Sequence, residues 1–112
     1  MSYGYNSVFV YGQVLYYEHK INILYMKEVV LEELSSPGCH NCAGFKAFWE
    51  GIQKDWPNVK FTEQSITTPE GQALVQKHQI FASPGIILNG ELFSTGGVNK
   101  DDFIKKLTEL SA

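Results

Sequence analysis

The 112-residue chain has little that would tie it to a membrane, a nucleic acid or a disulfide scaffold. No apolar run approaches the ~20 residues that span a bilayer, so no transmembrane helix is expected. The formal charge of −3 lacks the basic excess that a phosphate backbone recruits, which argues against a nucleic-acid partner. Residues 1–13 have no basic n-region and no clean apolar h-region, so no secretory signal is read there and a cytoplasmic protein is expected. There is no internal repeat and no low-complexity tract. Cysteine is scarce: the 2 present, Cys39 and Cys42, are too close in sequence to staple a fold by closing a long loop. In a reducing compartment such a pair is catalytic or metal-binding more often than structural.

What is there is an ordinary globular balance. Hydrophobic residues at 44% against 19% charged can furnish the core of one domain at this length, and they argue against disorder. The chain divides near Met26. Residues 1–25 are rich in tyrosine and β-branched residues, and the apolar stretches 8–11 and 14–17 around Gly12-Gln13 suggest a hairpin in an N-terminal extension. Residues 26–112 read as the domain proper. Val29-Val30-Leu31, followed by Glu32, Glu33 and Leu34, form a strand that stops at Ser35-Ser36-Pro37-Gly38. From Cys39 the apolar set Cys42, Phe45, Phe48, Trp49, Ile52 and Trp56 recurs every three or four residues, one face of a helix over 39–55 that Pro57 ends.

Residues 59–66 read as a second strand. Thr68 then caps a helix with Pro69 in its first position, running toward His78. Two short strands, 85–88 and 91–94, flank Asn89-Gly90, a hairpin turn in which both residues tolerate positive φ. Asn99 caps a last helix with an apolar stripe of Phe103, Ile104, Leu107 and Leu110, and Asp101 and Asp102 suit its positive N-terminal end. The order β-α-β-α-β-β-α predicts an α/β fold: a mixed sheet with helices on both faces.

Cys39-His40-Asn41-Cys42 carries the chemistry. Two intervening residues at a helix start bring both sulfurs within disulfide reach with little backbone motion. At the helix N-terminus, free N–H groups and the macrodipole favour a thiolate on Cys39, a nucleophile that an ordinary thiol near ~8.5 supplies only weakly at neutral pH. Cys42, one turn inward on the apolar face, is expected to be shielded. The roles follow: Cys39 attacks a disulfide and Cys42 resolves the mixed disulfide. His40 either supports the Cys39 thiolate or is a plain exposed residue. A zinc site needs two further ligands, and His19, His40 and His78 do not stand at zinc-finger spacing. A c-type haem site needs a histidine where Ala43 stands. The pattern favours redox chemistry and implies no cofactor beyond the cysteine pair itself. A metal or iron–sulfur module using the same thiolates, and a non-catalytic interaction domain, are the alternatives. Tyr3, Tyr5, Tyr11, Tyr16 and Tyr17 could serve the latter as amphipathic contact area.

Over residues from about 27 to 111 the sequence resembles the thioredoxin superfamily. The resemblance rests on the strand–turn–CxxC–helix unit, on Ser83-Pro84 before an apolar strand, and on Asn89-Gly90 with Gly96-Gly97 before the last helix. The run Phe81-Ala82-Ser83-Pro84-Gly85-Ile86-Ile87-Leu88-Asn89-Gly90-Glu91 is similar to small redox-disulfide and glutaredoxin-like proteins. This resemblance implies a thioredoxin-like fold and an enzyme that reduces or exchanges protein disulfides, with an upstream reductase as electron donor. It implies a cis bond before Pro84, with Ser83 pairing its backbone to the substrate chain. It implies a buried acid six positions before the first cysteine, at Glu33, that takes the proton of Cys42 during resolution; strand alternation leaves open whether Glu32 or Glu33 faces inward. The sequence also departs from the pattern. Gly38 stands where thioredoxins carry tryptophan, and Ser36 stands where glutaredoxins carry lysine, which weakens the case for glutathione. The first βα unit of thioredoxins is not recognisable in residues 1–25.

Overall fold

A computed structural model describes residues 26–112; the expected hairpin and the tyrosines of residues 1–25 lie outside the described residues. Strand β1 (Val29–Ser35) is followed by helix α1 (His40–Ile52) and a single 3₁₀ turn, Gln53–Asp55. Strand β2 (Val59–Ser65), helix α2 (Pro69–His78), strands β3 (Gly85–Leu88) and β4 (Glu91–Thr95), and helix α3 (Lys100–Ser111) complete the order. The one helix expected over 39–55 is thus an α-helix capped by Cys39 whose last turn tightens to 3₁₀ before Pro57.

The sheet runs β2-β1-β3-β4. β1 pairs parallel with β2 and antiparallel with β3, so β1 and β3 are the inner strands. Alternation along β1 sends Val29 and Leu31 to one face, where Phe45 and Trp49 of α1 and Phe103 and Leu107 of α3 cover them. Leu34 points to the other face and meets Ile80 and Ile87, with Leu74 and Val75 of α2 against them. Both faces of the sheet are therefore packed, as the alternating element order requires. Phe103, fully buried, lies edge-on to Phe45 (5.3 Å between centroids), Phe48 (5.9 Å) and Phe93 (5.9 Å). Such edge-to-face contacts are the favoured aromatic arrangement, and they lock α1 and α3 onto the same strands.

Local chemistry fixes the element ends. Thr68 Oγ1 accepts from the Gly71 amide at 3.0 Å and Asn99 Oδ1 from the Asp102 amide at 2.9 Å, the two N-caps expected from sequence. Asn89 and Gly90 have φ of 50° and 80°, so the β3–β4 turn needs residues tolerant of the left-handed region. Asn89 also accepts from the Val30 amide through its side chain at 2.8 Å, tying the hairpin to β1. No helix among the described residues is long and apolar enough to cross a membrane.

Gly71 is a close-approach glycine. A Cβ there would stand 1.8 Å from the Ser65 carbonyl oxygen, backbone that cannot swing aside. Gly71→Ala gains about 1 kcal/mol of helix propensity but forces α2 off the end of β2, an overpacking cost of about 3 kcal/mol. A net loss near 2 kcal/mol in denaturant unfolding is expected; a stabilised variant would contradict the packing described.

Candidate active site

The site begins at the end of β1. Ser36, Pro37, Gly38 and Cys39 form a turn closed by the Cys39 amide donating to the Ser36 carbonyl at 3.3 Å. Pro37 occupies the second position and Gly38, with φ of 73°, the third, the requirements of a type II turn. That is the physical reason for glycine here: a Cβ would meet no neighbour, but any residue other than glycine is strained at this left-handed φ. The turn delivers Cys39 as the N-cap of α1, where its sulfur accepts from the Cys42 amide at 3.1 Å.

Cys39 and Cys42 are joined in a disulfide, with Cα atoms 5.2 Å apart. The two are unequal. Cys42 is buried against the core, whereas Cys39 is partly exposed in an open cleft of about 540 Å³. A thiolate at position 39 would face the helix N-terminus and its N–H groups. The fold with this pair in disulfide contact supports thiol–disulfide redox chemistry.

The loop before β3 closes the second side. The Ser83–Pro84 peptide is cis, and Pro84 is fully buried. Ser83 Oγ lies 3.5 Å from Cys39 Sγ and 2.7 Å from Ser36 Oγ. A third segment is tied in by Asn41, whose side-chain amide donates to the Gly96 carbonyl at 2.9 Å, while the Gly96 amide donates to the Pro84 carbonyl at 2.9 Å. The structure thus brings Cys39, Cys42, Ser83 and Pro84 together. His40 is exposed at the rim of the cleft, and its ring makes no hydrogen bond among the described residues.

Glu33, not Glu32, faces the interior. It is fully buried on the α1 face of β1, and neither carboxyl oxygen has a hydrogen-bond partner among the described residues. Burial, and then the charge of Glu63, its cross-strand neighbour on β2, push its pKa up to about 7, against a smaller opposing pull from Lys46. Lys46, one turn beyond Cys42, bonds Glu63 at 3.2 Å, and both line the cleft with the cysteines. Sequence reasoning missed the Lys46–Glu63 pair, the Asn41–Gly96 tie and the Ser36–Ser83 contact. Only the four-residue step from Cys42 to Lys46 left a trace in the sequence, since it places the lysine on the Cys42 side of the helix. Among the described residues, no three His, Cys, Asp or Glu side chains are grouped as metal ligands would be.

A family model described as a thioredoxin domain matches residues 28–109. The chain belongs to the thioredoxin domain family. No curated protein matches it. Solved structures share the fold at low identity. Thioredoxin from Fasciola hepatica is 17% identical, with a TM-score of 0.61 covering 88% of this chain and 93% of that one. Oxidised mitochondrial thioredoxin 3 from Saccharomyces cerevisiae is 16% identical, with a TM-score of 0.60 covering 86% and 90%. A thioredoxin f2 solved with ferredoxin:thioredoxin reductase belongs to the structure matched at 10% identity, a TM-score of 0.59 and coverage of 81% and 84%. The likeness to thioredoxins makes the expected fold an observed one; no glutaredoxin feature is carried by these matches.

The buried carboxyl has a consequence for stability. The folded protein holds the Glu33 proton up to about pH 7, whereas the unfolded chain releases it near the ordinary value of 4.5. Between these values the folded state binds more protons, so Glu33 makes stability fall as pH rises, by on the order of 3 kcal/mol once pH exceeds 7. Denaturant unfolding of the oxidised protein from pH 4 to 8 should show this decline, and Glu33→Gln should remove most of it. Equal pH profiles for the two proteins would contradict the placement of the acid.

Proposed function

We propose that the protein is a dithiol–disulfide oxidoreductase that reduces or exchanges protein disulfides through a mixed disulfide on Cys39. The observation that carries this reading is the asymmetric disulfide at the start of α1, with its more accessible sulfur against the Ser83–Pro84 loop.

The Cys39 thiolate attacks one sulfur of a substrate disulfide, forming a Cys39–substrate bond and releasing the other substrate sulfur as a thiolate that takes a proton from water. Cys42 then loses its proton and attacks Cys39 Sγ, closing the Cys39–Cys42 disulfide and releasing the second substrate thiol. Two electrons pass from the cysteine pair to the substrate. A reductase returns two electrons and one proton, restoring the Cys39 thiolate and the Cys42 thiol; the thioredoxin f2 crystallised with ferredoxin:thioredoxin reductase offers a precedent for such a partner.

Glu33 is the general base for Cys42 in this reading. Its raised pKa, about 7, leaves it partly ionised at neutral pH and able to accept a proton there. The Ser83 backbone pairs with the substrate chain, Pro84 fixes the loop that presents it, and His40 borders the same cleft. The domain performing this chemistry is residues 26–112.

Two variants test the cycle. Cys39→Ser should abolish reduction of insulin disulfides, and Cys42→Ser should accumulate covalent adducts with the substrate that a dithiol reductant releases. Full activity in Cys39→Ser would refute the assignment. Glu33→Gln should slow closure of the Cys39–Cys42 disulfide, measured in a single turnover from the mixed disulfide, by about 100-fold, the lower end of general-base effects. An unchanged closure rate would remove Glu33 from the mechanism.

A further inference from the structure

Two hydroxyls meet beside the Cys39 sulfur. Ser83 Oγ donates to Cys39 Sγ at 3.5 Å, and Ser36 Oγ stands 2.7 Å from Ser83 Oγ. A serine hydroxyl has one proton to give. If the Ser83 proton points at the sulfur, the 2.7 Å contact requires Ser36 to be the donor into Ser83. The order of donation is then fixed as Ser36 to Ser83 to Cys39.

The backbone holds this line in place. Ser36 opens the type II turn whose closing hydrogen bond runs from the Cys39 amide to the Ser36 carbonyl. Its hydroxyl is therefore set by the same turn that sets the sulfur. Ser83 belongs to the loop before β3, which is anchored by the fully buried Pro84 and by the Gly96 amide on the Pro84 carbonyl. Both serines are half-buried, where a hydrogen bond is less weakened by solvent than on the open surface.

We propose that Ser36 and Ser83 form a two-hydroxyl relay that stabilises the Cys39 thiolate once the disulfide is reduced, with Ser83 bonding the sulfur and Ser36 acting as a positioning residue behind it. The inference rests on the proposed redox reading and extends it to what tunes the pair. In the disulfide, Cys39 Sγ is a weak, neutral acceptor. Reduction by two electrons and one proton breaks the S–S bond and leaves a Cys39 thiolate with a Cys42 thiol. The sulfur then carries a full charge, and a hydrogen bond to an ionised acceptor is roughly twice as strong as a neutral one. The relay thus favours the reduced form and shifts the couple toward a more oxidising potential. Ser36 contributes by polarising the Ser83 hydroxyl and by restricting its rotation.

Thiolate absorbance against pH, read in a Cys42→Ser background so that one thiol titrates, tests the relay directly. Ser83→Ala should lower the Cys39 ionisation constant about tenfold, the loss of one charge-assisted hydrogen bond. Ser36→Val should lower it about two- to threefold, and Ser36→Thr, the same shape with the hydroxyl restored, should retain the starting value. Combining Ser36→Val with Ser83→Ala should add nothing to Ser83→Ala alone, because Ser36 acts only through Ser83. In the two-cysteine protein, equilibration against reduced and oxidised glutathione should show Ser83→Ala more reducing in the same ratio. Equal ionisation in Ser36→Thr and Ser36→Val, or the same loss from Ser36→Val with and without Ser83, would overturn the relay. These readouts need no protein substrate, so a failed relay leaves the insulin result standing, and a failed insulin assay leaves the relay measurable.

Discussion

The arrangement depends on one constraint, that a sulfur must sit at the first turn of a helix while remaining reachable. The Ser36–Cys39 turn meets it by reversing the chain within four residues, at the cost of a left-handed residue that only glycine adopts easily. Cys39 then caps α1 with its own sulfur, in the place where Thr68 and Asn99 cap α2 and α3 with oxygen. An oxygen cap satisfies orphan amides and does no more. A sulfur cap satisfies the same amides and can also break and form a bond.

The rest of the fold keeps that turn still. β1 is an inner strand paired on both sides, so the peptide entering the turn is fixed by the two neighbouring strands. α1 is clamped by Phe103 and the aromatic residues around it, so the helix cannot slide away when the S–S bond opens. The Ser83–Pro84 loop is tied to Gly96, and Gly96 to Asn41, which returns the connection to the first turn of α1. Three segments far apart in sequence are thereby joined at the first turn of α1. Against this, Glu33 is a liability: a buried carboxyl without a hydrogen-bond partner among the described residues lowers stability at neutral pH. It lies beside Glu63 of β2, on the sheet face that α1 covers, and in the proposed cycle the same acid takes the Cys42 proton.

Much of this was legible in the sequence, and the reasons are physical. The order of elements follows from periodicities of two and 3.6 that burial enforces, and the Asn89-Gly90 turn and the Thr68 and Asn99 caps carry residues whose backbone or side-chain chemistry suits those positions. Cys39 and Cys42 stood out because thiols at that spacing have few other uses. Contacts between distant segments were not legible. Nothing in the spacing of Ser36 and Ser83, 47 residues apart, indicates that their hydroxyls touch, and Asn41 to Gly96 spans 55 residues. Which of Glu32 and Glu33 faces inward was undecidable because both faces of β1 are packed: Leu34 is buried on one side and Glu33 on the other, so alternation alone gave no side to the acid.

The proposed cycle turns on Cys39 being the ionised, attacking sulfur and Cys42 the shielded one. Reduced protein treated at pH 6.5 with limiting iodoacetamide, followed by peptide mapping, measures this directly. The structure predicts modification at Cys39 with Cys42 spared. Equal labelling of both, or no labelling at either until the pH approaches that of an ordinary thiol near ~8.5, would contradict it.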